Sequence, residues 1–205
     1  MFFNQHCIAA SQDLEQLVSD RPQLLLIITK GDSIWNWLDE HFTKTNNLPV
    51  RWSSHTSVLA VRQLASHTYN SKGEATIMAA DVDRNGNAIE GENLLSKIIY
   101  ELINASHRDE FKALTAKVKN YEITKESYIR SMAEIEHHSV MELKQFYADY
   151  WIFYASKKHI KLNNNCWCLG ASEDFDQWLW IHHRMEDGYP ESIYGPMFDR
   201  LSHPE

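Results

Sequence analysis

Apolar positions along this chain follow two periods. Leu24-Leu25-Leu26-Ile27-Ile28 is a short continuous run closed by Lys30-Gly31-Asp32, which predicts a buried strand over 24–29, too short for a core helix. Asp32 or Ser33 then caps a helix to about Phe42, with Ile34, Trp35, Leu38 and Phe42 on one side. Val50-Arg51-Trp52 reads as a short strand, Val58 to Ala65 as a short helix, and Ala75 to Ala80, after a Lys72-Gly73 turn, as a second buried strand. From residue 93 the helical period takes over. Asn93 caps a helix over Leu94–Ser106, a second helix covers 109–119, and Thr124 caps a long one to about Ala155. The stripe of that long helix is Ile129, Met132, Val140, Leu143, Tyr147 and Trp151. Ser172 is expected to cap a helix to about Arg184, with Phe175, Trp178 and Leu179 inward, until Gly188-Tyr189-Pro190 breaks it. A last short helix over 193–201 is interrupted at Gly195-Pro196.

These elements predict an α+β fold: a small sheet in the N-terminal third and a helical majority after residue 93. No repeat, low-complexity tract or Pro/Gly/Ser linker divides the 205 residues, so a single domain over 1–205 is expected.

Charge narrows the classes of partner. The formal net charge is −8, and the sole basic run, Lys157-Lys158-His159-Ile160-Lys161, reads as a solvated loop, so a nucleic-acid partner is not expected. An acidic chain meets a basic protein more readily, because complementary charge speeds encounter. No basic segment precedes a long apolar run at the N-terminus, and no run approaches the ~20 residues of a spanning helix, so neither leader nor membrane partner is expected. Three cysteines, Cys7, Cys166 and Cys168, make no disulfide framework, and Cys-Trp-Cys is not a zinc-knuckle spacing. A cytoplasmic setting follows as the expectation. With seven glycines, no phosphate-cradling loop and no G-x-S-x-G elbow, the common nucleotide and α/β-hydrolase classes drop out.

The strand over 75–80, the helix centred on Tyr100-Glu101-Leu102-Ile103-Asn104 and the following long helix with Glu134 and Glu136 resemble the zincin metallopeptidases whose third ligand is a glutamate. That chemistry needs imidazoles at i and i+4, on one helix face, and a glutamate after the first as base toward the bound water. The resemblance covers roughly residues 75–150. It implies Tyr100 at the first ligand position, Glu101 at the base, Asn104 at the second ligand and Glu134 or Glu136 at the third. Both histidine ligands are therefore replaced, which argues against ordinary zinc hydrolysis.

Glu101 also has a plainer account, as part of a solvated stripe with Lys97, Asn104 and Arg108 opposite the buried Leu95, Ile98, Ile99 and Leu102. Glu136 falls between Met132 and Val140 on an apolar stripe, where a carboxylate is costly unless partnered. It is either a site acid or a buried carboxylate satisfied by a tyrosine, a histidine or backbone; His137, His138 and, from the preceding helix, His107 or Tyr100 are candidate partners. Asp81-Val82-Asp83-Arg84-Asn85-Gly86 followed by Glu92 fits the calcium-loop pattern, making Asp81, Asp83, Asn85 and Glu92 candidate ligands for calcium, although a strand, not a helix, precedes it. Apart from calcium no cofactor is expected. His137-His138 and His182-His183 point about 100° apart within each pair, so neither chelates from one face.

The chain thus reads as a non-catalytic protein-interaction module, an acidic inhibitor or immunity-type protein that neutralises a toxin or enzyme by binding. Trp35, Trp37, Trp178 and Trp180 are candidate anchors. The alternative is a degenerate or divergent zincin-like hydrolase using Glu101 and Glu136.

Overall fold

The computed structural model describes residues 10–45, 50–53, 65–69, 75–80, 87–185 and 188–203. Helices hold most of them. Helix α1 (Ala10–Ser19) leads into α2 (Pro22–Leu25) and α3 (Ser33–Lys44). Three short strands follow: β1 (Val50–Ser53), β2 (Ala65–Tyr69) and β3 (Ala75–Ala80). β3 lies between the other two, parallel to β1 and antiparallel to β2, with Ile77 opposite both Val50 and His67. The expected helix over 58–65 lies outside the described residues, except that Ala65 begins β2.

The expected strand over 24–29 is not one. Pro22 opens α2 at a position where its missing N–H is not needed, and the Ile27 and Ile28 amides both bond back to the Leu24 carbonyl. Leu24 and Ile28 are buried, whereas Leu25 and Leu26 face solvent. The run has a helical spacing of four that a continuous apolar string concealed.

Helix α3 forms as expected. Asp32 caps it, its Oδ1 accepting from the Trp35 amide at 2.9 Å, and Ile34, Trp35, Leu38 and Phe42 are all buried. Such a cap contributes about 1 kcal/mol.

Helix α4 (Gly91–Ser106) packs on β2, β3, α2 and α3. It starts earlier than Asn93: Glu90 occupies the N-cap position and Asn93 is inside the first turn. Helix α5 (Arg108–Lys119) precedes α6 (Lys125–Phe146), which Thr124 caps as expected, its Oγ1 accepting from the Ser127 amide. A π-helical turn (Tyr147–Trp151) joins α6 to α7 (Ile152–Lys157). The widened turn keeps Tyr147, Trp151 and Tyr154 all inward.

Helix α8 (Phe175–Met185) is capped by Asp174, whose Oδ1 accepts from the Gln177 amide at 2.8 Å; Ser172 instead accepts from the Asp174 amide. Helix α9 (Glu191–Ser202) continues through Pro196 rather than being interrupted there.

Two apolar clusters result. One gathers α1, α3, β3, α4 and residues 143–167; the other gathers α5, the first half of α6, α8 and α9. The packing of α4 against α6 joins them. No helix among the described residues is long and apolar enough to cross a membrane.

Candidate functional site

Where α4 meets α6, the residues of the zincin-like layout come together. Glu101 and Asn104 are not on a solvated stripe: they are 5% and 2% exposed. Helix α4 is covered on nearly every side, so its polar face is sealed by α6 rather than by water. The Asn104 Oδ1 accepts a hydrogen bond from Ser139 Oγ of α6 at 2.7 Å.

Glu136, not Glu134, turns toward this junction; Glu134 is exposed. The Tyr189 hydroxyl donates to the Glu136 carboxylate, and Tyr194 of α9 also hydrogen-bonds it. Tyr100 lies close to both carboxylates. Burial first, then the negative charges of Glu136 and Glu101, hold the Tyr100 phenol well above the ordinary tyrosine value, against a hydrogen bond with Asn104. Burial and Glu136 raise the Tyr194 phenol in the same way.

Of the two accounts of Glu136, the geometry matches the carboxylate satisfied by tyrosine. It ties α6, α9 and the 188–190 turn into one polar knot, with its charge felt at Tyr100 of α4. His107 is engaged elsewhere, with Glu110 at 2.7 Å and Glu142 at 2.9 Å.

The donor set does not fit a hydrolytic metal. A phenol held well above its usual value resists the deprotonation a ligand needs, the Asn104 oxygen is occupied by Ser139, and Glu136 is bound by tyrosine hydroxyls. Among the described residues, no group of three or more His, Cys, Asp and Glu could hold an ion.

The histidine pairs divide as helix geometry requires. His137 is buried, its Nε2 meeting the Ser172 carbonyl at 2.9 Å, and His138 is exposed. His182 lies against the Trp178 ring at 4.5 Å, while His183 Nδ1 meets the Tyr189 carbonyl at 3.0 Å.

Asp81, Asp83 and Asn85 of the calcium-loop pattern lie outside the described residues. Glu92, the last member of that pattern, is buried and engaged. Its Oε1 accepts from the indole N–H groups of Trp151 and Trp167, both at 2.7 Å, and its Oε2 accepts from the Asn163 amide at 2.9 Å. Calcium binding through Glu92 would compete with those three bonds.

The candidate tryptophan anchors also separate. Trp35 and Trp178 are buried, and Trp37 stacks on His41 and meets Phe146 edge-on. Trp180 is 57% exposed, with the Arg184 guanidinium 4.3 Å from its ring centroid. Asp176, Trp180 and Arg184, spaced by four, form one ridge along α8.

Sequence reasoning missed the role of Glu92, although a signal existed. Glu92, Leu95, Ser96 and Ile99 share a helical face, and all four are buried.

Comparison with protein-family models, curated proteins and solved structures finds no match to this chain.

Proposed function

We propose that this chain is a non-catalytic binding module, an acidic protein of the inhibitor or immunity type that acts by covering a basic protein partner. The observation that carries the reading is the Trp180–Arg184 pair on the outer ridge of α8. Trp and Arg are the residue types most often found at the energetic centre of protein interfaces, and here the arginine is already seated on the ring. Glu173 and Asp174 stand exposed at the start of the same helix, next to an Asp176 paired with Arg130, so the charge of the first two would steer a basic surface toward the anchor. The tyrosine hydroxyls already engaged with Glu136 support binding over turnover.

The test is capture and deletion. Tagged protein purified from its own cells is expected to carry a basic partner. Trp180→Ala is expected to weaken that complex about thirtyfold or more, as removal of a central anchor does. A variant with unchanged circular dichroism and undiminished partner would sink the reading.

A second reading, a divergent zincin-like hydrolase, is favoured by the convergence of Tyr100, Glu101, Asn104 and Glu136. Stoichiometric zinc together with peptide cleavage that Glu136→Gln abolishes would establish it; failure of both removes it. We assign the fold to the α+β class on the strength of the short β1–β3–β2 sheet. A cytoplasmic setting agrees with the unpaired Cys166 and Cys168.

A further inference from the structure

Six large apolar side chains stand in solvent on two stretches that the fold ties together. Leu25 and Leu26 (83% exposed) belong to α2 and the turn after it; Tyr150, Ile152, Phe153 (72% exposed) and Leu162 lie on and after the π-helical turn. The Tyr154 hydroxyl donates to the Ile27 carbonyl at 2.7 Å, and the Lys158 ammonium donates to Thr29 Oγ1 at 3.0 Å. The loop after α2 is thereby fastened to α7.

The charge of both stretches departs from that of the chain. Residues 21–31 carry Arg21 and Lys30 and residues 150–170 carry Lys157, Lys158 and Lys161, with the carboxylates Asp20, Asp32 and Asp149 at their edges, in a chain with 28 Asp and Glu against 20 Lys and Arg. Lys30 is paired with Glu15 of α1, while Lys157, Lys158 and Lys161 are exposed.

Composition then selects the kind of partner. Protein interfaces are depleted in Lys, and their energetic centres under-represent Leu. Exposed Leu, Ile and Phe with lysine on the same stretch, Lys157 standing one helical turn beyond Phe153, is instead the set that enters a headgroup boundary while ammonium groups meet anionic lipid. Side chains as exposed as Leu26 and Phe153 protrude, and a bilayer accepts protrusions without offering a matching cavity. The net charge of −8 opposes approach, but screening over about 8 Å at physiological salt leaves the nearest charges dominant.

We propose that this patch seats the protein on an anionic phospholipid surface, with Leu26 and Phe153 entering the headgroup boundary and Lys157 and Lys161 meeting lipid phosphates. The expectation of no membrane partner rests on the absence of a spanning run, which does not bear on binding at a surface; the fold adds the exposed apolar residues on the same stretch as Lys157 and Lys161. This surface shares no residue with the Trp180 ridge, so either assignment can fail without the other.

The full chain is sedimented with vesicles of equimolar phosphatidylcholine and phosphatidylserine, and with vesicles of phosphatidylcholine alone. Retention on the anionic vesicles, released by high salt, is expected. Lys157→Glu with Lys161→Glu is expected to lower partitioning at least about thirtyfold, from the usual attraction per lysine near such a surface and the repulsion each glutamate adds. Leu26→Ser with Phe153→Ser is expected to lower it at least about tenfold, since both side chains lose apolar burial. All four positions are exposed, and circular dichroism checks that each variant is folded. Failure to sediment with anionic vesicles, equal recovery on both kinds, or a charge-reversed variant that sediments like the parent overturns the proposal. Binding to polyglutamate without binding to vesicles assigns the patch to an acidic protein segment and overturns it equally.

Discussion

Glu92 is a single carboxylate on which three separate parts of the chain close. Two indole N–H groups and one backbone amide converge on it in a buried position. Glu92→Ala strands all three donors away from water, at about 1–3 kcal/mol for each that stays unpaired, so a loss of at least about 3 kcal/mol is expected in urea unfolding. Glu92→Gln is expected to cost less, roughly 2 kcal/mol, because its carbonyl still accepts from the indoles while its amide faces the Asn163 N–H. A Gln variant as unstable as Ala would show that charge matters more than acceptor geometry. Tyr128 supplies the opposite case. It is fully buried, and its hydroxyl has no hydrogen-bond partner among the described residues. Tyr128→Phe is therefore expected to leave stability within about 0.5 kcal/mol or raise it; a larger loss would reveal a hydrogen bond at that hydroxyl.

Helix α4 owes its place to the residue at its start. A Cβ on Gly91 would lie 2.3 Å from the Gln23 carbonyl oxygen of α2, a backbone atom that cannot swing aside. Gly91→Ala is expected to destabilise the protein by about 1–3 kcal/mol through overpacking, even though alanine favours helices, and thermal melting reads the difference. A stabilised variant would mean that α2 yields readily. This close approach was not legible in the sequence, because nothing local marks Gly91. The faces of α3 and α6 were legible, since Ile34, Leu38, Ile129 and Leu143 repeat at helical spacing and side chains there follow the period. The run at 24–28 misled because uniform apolarity hides its period. The polar positions of α4 misled for another reason: a stripe such as Glu101 and Asn104 predicts solvent only where no other helix covers it, and the cover comes from α6, some 35 residues later. At the candidate site, Tyr100 was one of several partners the sequence offered Glu136; the contribution of Tyr189 and Tyr194 was not legible, since a break and a short helix carry no sign of where they dock.

At the scale of the molecule, buried acids that ionise only at high pH make the fold sensitive to alkali. Burial pushes the Cys166 thiol up from an ordinary 9.0 to about 11, helped by the charge of Glu92, and the Tyr100 and Tyr194 phenols stand well above 10.0. The unfolded chain releases these protons first, so the folded state holds more of them. Their contribution is complete below about pH 9 and is lost progressively as pH rises, which lowers the urea midpoint. Ultraviolet titration should show tyrosinate appearing together with loss of helical circular dichroism; tyrosines that all titrate near 10 in the folded protein would contradict the assignment. Calcium, by contrast, is expected to leave the melting temperature unchanged, because Glu92 is already engaged; a rise would show native-state binding through the Asp81 to Glu92 pattern. The Glu92 knot finally bears on how the chain is made. Its partners Trp151 and Trp167 lie 59 and 75 residues downstream, so a nascent chain holding α4 alone must keep that acid wetted. The Glu92 knot cannot close while the ribosome is still adding the tryptophans, so this part of the interior forms only after residue 167 has been made.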